Sequence, residues 1–412
     1  MSNKLEQGTY DHDPYRPSKD GGNYLVKKFS DDLYDYDVAA YAKMQHNSMR
    51  INPQSGLSTI FNNSAQQVDF LLSRNPAICH YDKINLYMTI QNNGAALATL
   101  LPSHFMIDYI EVLVNSAQVE IIWAHELLFN ELYLAKDDEQ VINNRARRLF
   151  AGGVQGTPYT GPGTLAVAAS RTFFVEIPCV FTKTETFIPA VTSDIIFRVH
   201  FQPNPLTSGS LATTVNLINC DIMISGREYS TEIKNKLMDR YSKIDHVAGY
   251  YQMQRALIPS QSLNNTVKTP VKLTEFSGAL SSQIIVFLVP ANATKENLFN
   301  FQLANLIELT RSGMTVSTFQ DPPADWLLQQ MAELYPTTAV SSQNIYAITQ
   351  SNTPVDSANY GLSRGQFFMT PNDGLNLTPS ISNTYDVYVY CFKYCLVTVN
   401  RQGQFNMQYV SS

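Results

Sequence analysis

The sequence is poor in charged residues and has no large cationic cluster. Only 16% of its 412 residues are Asp, Glu, Lys or Arg, and the formal net charge is -6. Because binding to phosphate backbones needs clustered cationic side chains, this balance argues against nucleic acid as the main partner. The one dense basic run, Arg145, Arg147 and Arg148, is short, and we interpret it as a solvated face or loop.

Features of membrane-spanning and secreted proteins are also scarce. No stretch approaches the ~20 apolar residues needed to cross a bilayer, and residues 1–22 lack the apolar region of a signal peptide. The five cysteines are an odd number in scattered, strand-like sequence, which does not favour a disulfide framework. We therefore expect synthesis in a host cytoplasm, with reduced, buried cysteines and no zinc site. The cysteines are Cys79, Cys179, Cys220, Cys391 and Cys395.

What the sequence does contain is a long series of short, alternating apolar segments. These segments begin near Val68, and Asn, Ser, Pro and Gly separate them, a pattern typical of antiparallel strands that pack face to face. The last long strand, Asp386–Val399, is apolar on both faces, which predicts that it lies between two packed layers. Helical patterns are few and short. They occur at 38–44, 123–134, 230–243 and 325–335.

An internal repeat links the two halves of the chain. Ile110-Glu111-Val112 matches Ile307-Glu308-Leu309 at an offset of 197 (307 - 110 = 197). At the same offset, the turn that follows each segment matches the other turn, and Val119 matches Val316. Farther along, Glu131-Leu132-Tyr133 matches Glu333-Leu334-Tyr335 at an offset of 202 (333 - 131 = 202), so about five residues were inserted before the second helix. The preserved order of these matches predicts a duplicated all-β domain.

The length of each half is sufficient for a jelly roll. Each half has room for eight strands and a helical insertion, and eight short strands in two sheets of four form a jelly roll. We therefore predict an all-β fold of two consecutive eight-stranded jelly rolls with short helical insertions. The predicted boundaries are an N-terminal arm at 1–50, a first jelly roll at 51–228, a connector at 229–248 and a second jelly roll at 249–412.

Several segments resemble a known family. In the first half they are Tyr81–Ile90, Ile107–Ile122 with the helix through Leu134, Phe174–Phe201 and Asn216–Leu257; in the second half they are Ile284–Val289, Asn297–Phe301, Leu306–Leu309 and Asp386–Val399. On these residues the chain resembles the double jelly-roll major capsid proteins of the adenovirus and tailless-phage lineage, and most of all their virophage and polinton-like virus branch. It departs from the pattern where the usual Asn-Pro-Phe is Asn297-Leu298-Phe299.

The resemblance implies a function in the virion. It implies a homotrimer whose six jelly rolls form a pseudo-hexagonal capsomer of an icosahedral shell. The implied partners are other copies of the chain, penton and minor capsid proteins and, as an open alternative, an internal membrane, with no sequence-specific nucleic acid. The arm at 1–50 would lie at the inner face and tie capsomers together.

Motifs for catalysis and metal binding are incomplete. His125-Glu126 begins like a zinc-protease helix, but Phe129 stands where the second histidine is needed, so we interpret the pair as a helix-surface or interface pair. Gly152-Gly153 and Gly161-Pro162-Gly163 lack the Lys-Ser/Thr of a phosphate loop. We therefore assign no catalytic, cofactor-binding or metal-binding residues, no cofactor and no enzymatic activity.

Two other functions stay open at this point. A virion or cell-surface attachment protein could bind glycans through β-sandwich loops and aromatic residues, and a glycoside hydrolase could use the same architecture. Trp326 bears on the first alternative, because it either packs its helix against the second jelly roll or binds a glycan or a neighbouring capsomer from an exposed rim.

Overall fold

A computed structural model describes most of the chain as two compact units. It describes residues 44–57, 60–61, 66–74, 78–101, 103–130, 163–183, 193–206, 214–243, 245–291, 301–320, 344–349, 367–400 and 404–409. Of these, the first unit holds the residues up to Tyr250 together with 396–400 and 404–408, and the second holds 251–395 and Tyr409. The C-terminal residues of the first unit fall within the predicted 249–412 jelly roll.

Ten strands and four helices of the first unit lie within the described residues 44–243. The strands are β1 (Met44–Ile51), β2 (Gln66–Leu72), β3 (Ile78–Asn92), β4 (Ala98–Leu100), β5 (Ile107–Val114), β6 (Ala117–Trp123), β7 (Gly163–Leu165), β8 (Ser170–Glu176), β9 (Ile195–Phe201) and β10 (Val215–Tyr229). The helices are α1 (Ser103–Met106), α2 (Ala124–Phe129), α3 (Val180–Lys183) and α4 (Thr231–Lys243). Two four-stranded sheets, in the orders β1-β10-β3-β8 and β2-β9-β5-β6, form a jelly roll, and β4 pairs with β7.

The second half repeats this strand order. Its strands are β11 (His246–Leu263), β12 (Thr269–Lys272), β13 (Leu280–Pro290), β14 (Ala304–Arg311), β15 (Met314–Gln320), β16 (Tyr346–Thr349), β17 (Phe367–Phe368), β18 (Gly374–Pro379), β19 (Asn383–Val399) and β20 (Phe405–Tyr409), with a 3-10 helix at Thr274–Phe276. The sheets run β11-β19-β13-β16 and β12-β18-β14-β15, while β17 pairs with β13 and β20 with β19. The predicted fold of two consecutive jelly rolls is therefore confirmed.

The hairpins β5-β6 and β14-β15 are the clearest copies of one another. All four strand ends correspond at an offset of 197, for example 304 - 107 = 197 and 320 - 123 = 197. Both turns place two consecutive residues at positive φ, Asn115 (48°) and Ser116 (68°) in one and Ser312 (50°) and Gly313 (82°) in the other. Two positive φ values define the tight hairpin turn that matches strand twist. The repeat predicted from the sequence is thus a repeated backbone geometry.

A β-bulge is repeated in the same two hairpins. The register shifts between Val112 and Leu113 in β5 and between Leu309 and Thr310 in β14, again 197 residues apart. In each case the extra residue on the partner strand is a valine, Val119 or Val316. A bulge re-aims the side chains beyond it, so the two hairpin ends carry side chains in matching directions.

The core of each jelly roll follows directly from the alternation of the strands. In β3 the residues Ile84, Leu86, Met88 and Ile90 are all fully buried, while the residues between them are half-buried. In β9, Phe197, Val199 and Phe201 are buried in the same way. Since successive side chains of a strand point to opposite faces, each of these strands has a core face and an outer face.

The sheet that contains β13 and β19 behaves differently, because both of its faces are buried. In β19, Val387, Val389 and Cys391 pack in the core of the second jelly roll, and Tyr390 and Phe392 on the opposite face are also fully buried. Of the predicted range Asp386–Val399, the stretch Val389–Lys393 is buried on both faces, whereas Tyr394, Leu396 and Thr398 farther along are half-buried.

The predicted arm is too long at its C-terminal end. Residues 44–50, assigned to the arm, form β1, which pairs antiparallel with β10 from Met44↔Tyr229 to Ile51↔Ile222. The sequence of β1 is polar, and its described residues before Ile51 are mostly exposed, because β1 is an edge strand. An edge strand with one exposed face lacks the apolar alternation that sequence analysis relies on. The helix expected at 38–44 ends at Met44, which is in β1; residues 38–43 lie outside the described residues.

The other helix predictions had different outcomes. The polar helix expected at 230–243 is confirmed as α4 (Thr231–Lys243). The helix expected at 123–134 begins at Ala124, because Trp123 is the last residue of β6, and it is described only as far as Asn130. The helix at 325–335, with Trp326, lies outside the described residues.

The described cysteines agree with the sequence interpretation. Cys179, Cys220, Cys391 and Cys395 are buried free thiols. Cys391 and Cys395 lie on one face of β19, as their spacing predicts, and Cys391 Sγ donates to Ser281 Oγ at 3.2 Å. The side chain of Cys79 is outside the described residues.

Candidate functional site

The pair His125 and Glu126 is a buried element of the first jelly roll. Both residues lie in α2, with exposures of only 8% and 4%, and Phe129 in the same helix is fully buried. The imidazole of His125 meets the ring of Phe105 edge-on, at 5.2 Å between centroids. The interpretation as a helix-surface or interface pair is therefore wrong. Short helices give little periodicity, so α2 offered no signal that both of its faces are covered.

Burial strongly shifts the pKa values of His104, Cys179 and Cys391. Burial lowers the pKa of His104 to about 3, so its imidazole is neutral at physiological pH. Burial raises the pKa of the Cys179 thiol to about 12 and that of Cys391 to about 11. Because the thiolate is the nucleophile and the metal ligand, these thiols are inert.

Metal-binding clusters and membrane-spanning helices are both absent from the part of the chain that the structure describes. No group of three or more His, Cys, Asp and Glu side chains there could hold a metal ion. No helix among those residues is both long and apolar enough to cross a membrane.

Glu120 is a buried carboxylate that joins two elements of the first jelly roll. It lies on the core side of β6, and its Oε2 accepts a hydrogen bond of 2.9 Å from the backbone N–H of Val180 in α3. Burial raises the pKa of Glu120, while the nearby Lys183 opposes that rise. The hydrogen bond from Val180 connects α3 to β6, because a buried carboxyl group needs a fixed hydrogen-bond partner.

The outer face of β2-β9-β5-β6 carries a row of ion pairs. Arg198 in β9 makes a bidentate contact with Asp69 in β2, at 2.9 Å and 3.0 Å, and its Nη1 is 3.6 Å from Glu111 in β5. The hydrogen bond to Asp69 raises the pKa of Arg198. The three residues are directly opposite one another in the sheet, so the row follows from the register.

An aromatic row lies beside these ion pairs. Tyr109 in β5 stacks on His200 in β9, with 4.1 Å between ring centroids, and contacts Trp123 in β6 at 5.2 Å. The Tyr109 ring therefore covers one face of the His200 ring, and the His200 ring covers one face of the Tyr109 ring. This packing suits a closed structural row better than an open platform for sugar rings.

The second jelly roll has a related polar contact in the same place. Glu308, which is 197 residues after Glu111, accepts hydrogen bonds from Lys268 Nζ at 2.7 Å and Asn376 Nδ2 at 3.0 Å. These two bonds lower the pKa of Glu308. A carboxylate at this position therefore bonds to the neighbouring strand in each jelly roll, Glu111 to β9 and Glu308 to β18, and Glu308 also binds Lys268, which directly precedes β12.

The outer faces of the sheets β11-β19-β13-β16 and β1-β10-β3-β8 differ in polarity and burial. In β11-β19-β13-β16 the face opposite the core is apolar and buried; its buried residues are Tyr251, Met253, Ile285, Phe287, Val289, Tyr390 and Phe392. Phe287 contacts Phe301 at 4.5 Å and stacks on Tyr388 at 5.0 Å.

The corresponding face of β1-β10-β3-β8 is more polar, and its residues are mostly half-buried or exposed. Its middle holds Tyr87, whose ring is 5.9 Å from that of Phe174, and a Thr89–Thr172 hydroxyl hydrogen bond of 2.9 Å. Toward β1, the Nη2 atom of Arg50 lies 2.5 Å from the buried Asp221 carboxylate. This face, defined by the outward residues of these four strands, is called the outer face of the first sheet below.

Comparison with known proteins places this geometry in one fold class. The chain is similar to VP54 of the virus PBCV-1, as fitted into a reconstruction of the virophage Sputnik, with a TM-score of 0.63, 12% identity and coverage of 89% of this chain and 97% of that one. It is also similar to the Faustovirus major capsid protein, with a TM-score of 0.56, 10% identity and coverage of 86% and 90%. A chain of the Sputnik virophage structure has a TM-score of 0.56, 10% identity and coverage of 89% of both chains.

These likenesses define the fold. The chain has the double jelly-roll fold of these viral capsid proteins over nearly its whole length. No protein-family model matches the sequence, and no curated protein matches it. Membership of the adenovirus and tailless-phage lineage, and the branch within it, stay predictions.

Proposed function

We propose that this chain is a major capsid protein, with a structural and not a catalytic role, that assembles as a homotrimer into pseudo-hexagonal capsomers of an icosahedral virus shell. The observation that carries the proposal is the pair of jelly rolls with one strand order, similar to viral capsid proteins over 86–89% of this chain. Inert thiols and a buried His125-Glu126 pair fit a structural role.

The composition supports extensive self-association. Low charge with 23 Tyr and 21 Phe suits broad, partly polar interfaces, since aromatic residues are enriched and charged residues depleted at interface centres. The chain would act in the virion after synthesis in a host cytoplasm. Penton and minor capsid proteins are the expected further partners, with an internal membrane as an open alternative.

We expect the purified protein to form a stable trimer or closed particles at micromolar concentration. Obligate interfaces of ~2,000 Å² or more leave little folded monomer. Analytical ultracentrifugation gives the oligomeric state, and electron microscopy shows whether hexagonal capsomers or shells are present. A well-behaved folded monomer at this concentration would refute the proposal.

We also expect removal of residues 1–43 to impair shell formation while both jelly rolls stay folded. The deletion ends before β1, so it removes none of the described strands. The thermal unfolding temperature should therefore change little, whereas the yield of shells in electron micrographs should fall because contacts between capsomers are lost. Normal shells from the shortened protein would contradict the role assigned to the arm.

A further inference from the structure

The two jelly rolls have the same strand order, yet one pair of equivalent sheet faces differs in burial. The sheet β11-β19-β13-β16 has a largely buried outer face, as Phe287 and Tyr390 show, whereas the outer face of the first sheet is half-buried at its centre and exposed at Arg50 and Thr172. The difference is already present in the side chains. The run Ile284–Val289 in β13 is apolar throughout, while Ile84–Gln91 in β3 alternates strictly.

We propose that the outer face of the first sheet is the surface by which one copy of this chain contacts the next. The inference rests on the proposed assembly into capsomers. A ring of identical copies needs a contact between two different patches of each chain. If equivalent jelly rolls use equivalent faces, the face that is buried in the second jelly roll is the one that a neighbouring copy covers in the first.

The dimensions of this face suit such a contact. Strands lie ~4.8 Å apart and rise ~3.3 Å per residue, so four strands of about eight residues present a face of roughly 500 Å². A standard interface buries ~800 Å² on each partner. The face alone therefore supplies more than half of the area that a stable contact needs, and adjacent loops can supply the remainder.

The charges on this face also suit a second copy. The chain as a whole carries a net charge of -6, so random contacts between copies are repulsive. On the outer face of the first sheet, Arg50 and Lys83 balance Asp221 and Glu176, and Arg50 is already paired with Asp221. A charge-balanced face with Tyr87 and Phe174 near its centre matches the composition of interface centres.

Two matched tyrosine substitutions test the proposal. Tyr87→Lys places a flexible cation on the outer face of the first sheet, and Tyr109→Lys does the same on the outer face of β2-β9-β5-β6. Both tyrosines are half-buried, lie on the outward side of a strand and contact one aromatic ring or more. Sedimentation over a concentration series measures the dissociation constant, and circular dichroism confirms that each variant is folded.

We expect Tyr87→Lys to raise the dissociation constant at least tenfold and to release folded monomer, with less than a threefold change for Tyr109→Lys. Equal effects of the two variants, or no effect of Tyr87→Lys, would overturn the assignment of the face while leaving the capsid function intact. If the unmodified chain is itself monomeric, the proposed function fails and the interface fails with it.

A labelling experiment covers the case in which Tyr87→Lys does not fold. Thr172 is an exposed residue of the proposed face and Gln67 is an exposed residue of β2 outside it. In the assembled protein, Thr172→Cys should react with a polyethylene-glycol maleimide at least tenfold more slowly than Gln67→Cys, with the unsubstituted protein as the background. Equal reaction rates would show that the outer face of the first sheet stays open in the assembly, and the proposal would be wrong.

Discussion

Phe287→Ala should lower the free energy of unfolding by ~3 to 5 kcal/mol, the usual cost of truncating a fully buried phenylalanine. The ring is 0% exposed and lies between Phe301 at 4.5 Å and Tyr388 at 5.0 Å. Truncation therefore leaves a cavity on the buried outer face of β13. Urea denaturation followed by circular dichroism measures the change.

Phe368→Ala is the matched control for this prediction. Phe368 lies in β17, in the same sheet as Phe287, but its side chain is 38% exposed. Because part of the ring is already in water in the folded protein, truncation removes less buried apolar surface than at Phe287, and we expect a smaller loss of ~1 to 2 kcal/mol. Equal losses for the two variants would mean that the outer face of β13 is not tightly packed in solution.

Gly226→Ala should destabilise the first jelly roll by ~3 kcal/mol, at the upper end of the range for overpacking. A Cβ atom built on Gly226 would lie 1.9 Å from the backbone oxygen of His80 and 2.9 Å from its carbonyl carbon. Neither atom can move without displacing β3, and the strand register already shifts beside Gly226. The adjacent pairing of β10 with β3 should therefore open, which differential scanning calorimetry detects as a lower unfolding temperature.

Gly56→Ala provides the comparison, since a Cβ atom at Gly56 would have no atom within 4 Å. This variant should be neutral or stabilise the fold by less than ~1 kcal/mol, because alanine restricts the unfolded chain more than glycine does. The close approach of His80 would be refuted if both variants unfolded at the same temperature as the unsubstituted protein.

In the candidate site, the sequence predicts which side chains point outward but not which residues they contact. The alternation in β3 and β9 indicates which side chains point outward, so Tyr87 and Arg198 could be assigned to outer faces from the sequence. Their partners could not. Arg198 binds Asp69, 129 residues away, and Tyr87 meets Phe174 only because β3 and β8 are neighbours. Such pairs depend on strand order and register, which involve contacts between distant segments.

Local sequence patterns by themselves were sufficient to determine the fold class. Alternating apolar residues bounded by turn residues specify strands because side chains alternate across a sheet, and the offset of 197 from Ile110 to Ile307 marks a repeated hairpin because turn and bulge geometry are local properties. The apolar residues on both faces of Asp386–Val399 were sufficient to indicate a strand whose middle, Val389–Lys393, is buried on both faces.

Only the tertiary structure decided where polar segments belong and which faces are covered. Strand β1 is polar and was assigned to the arm, yet its backbone completes the first sheet by pairing with β10. His125 and Glu126 are polar and were assigned to a surface, yet they are buried in α2. For β1 the partner is a strand far away in the chain, and for His125 it is the ring of Phe105 on a neighbouring helix. The polarity of a side chain does not indicate which segment it will contact.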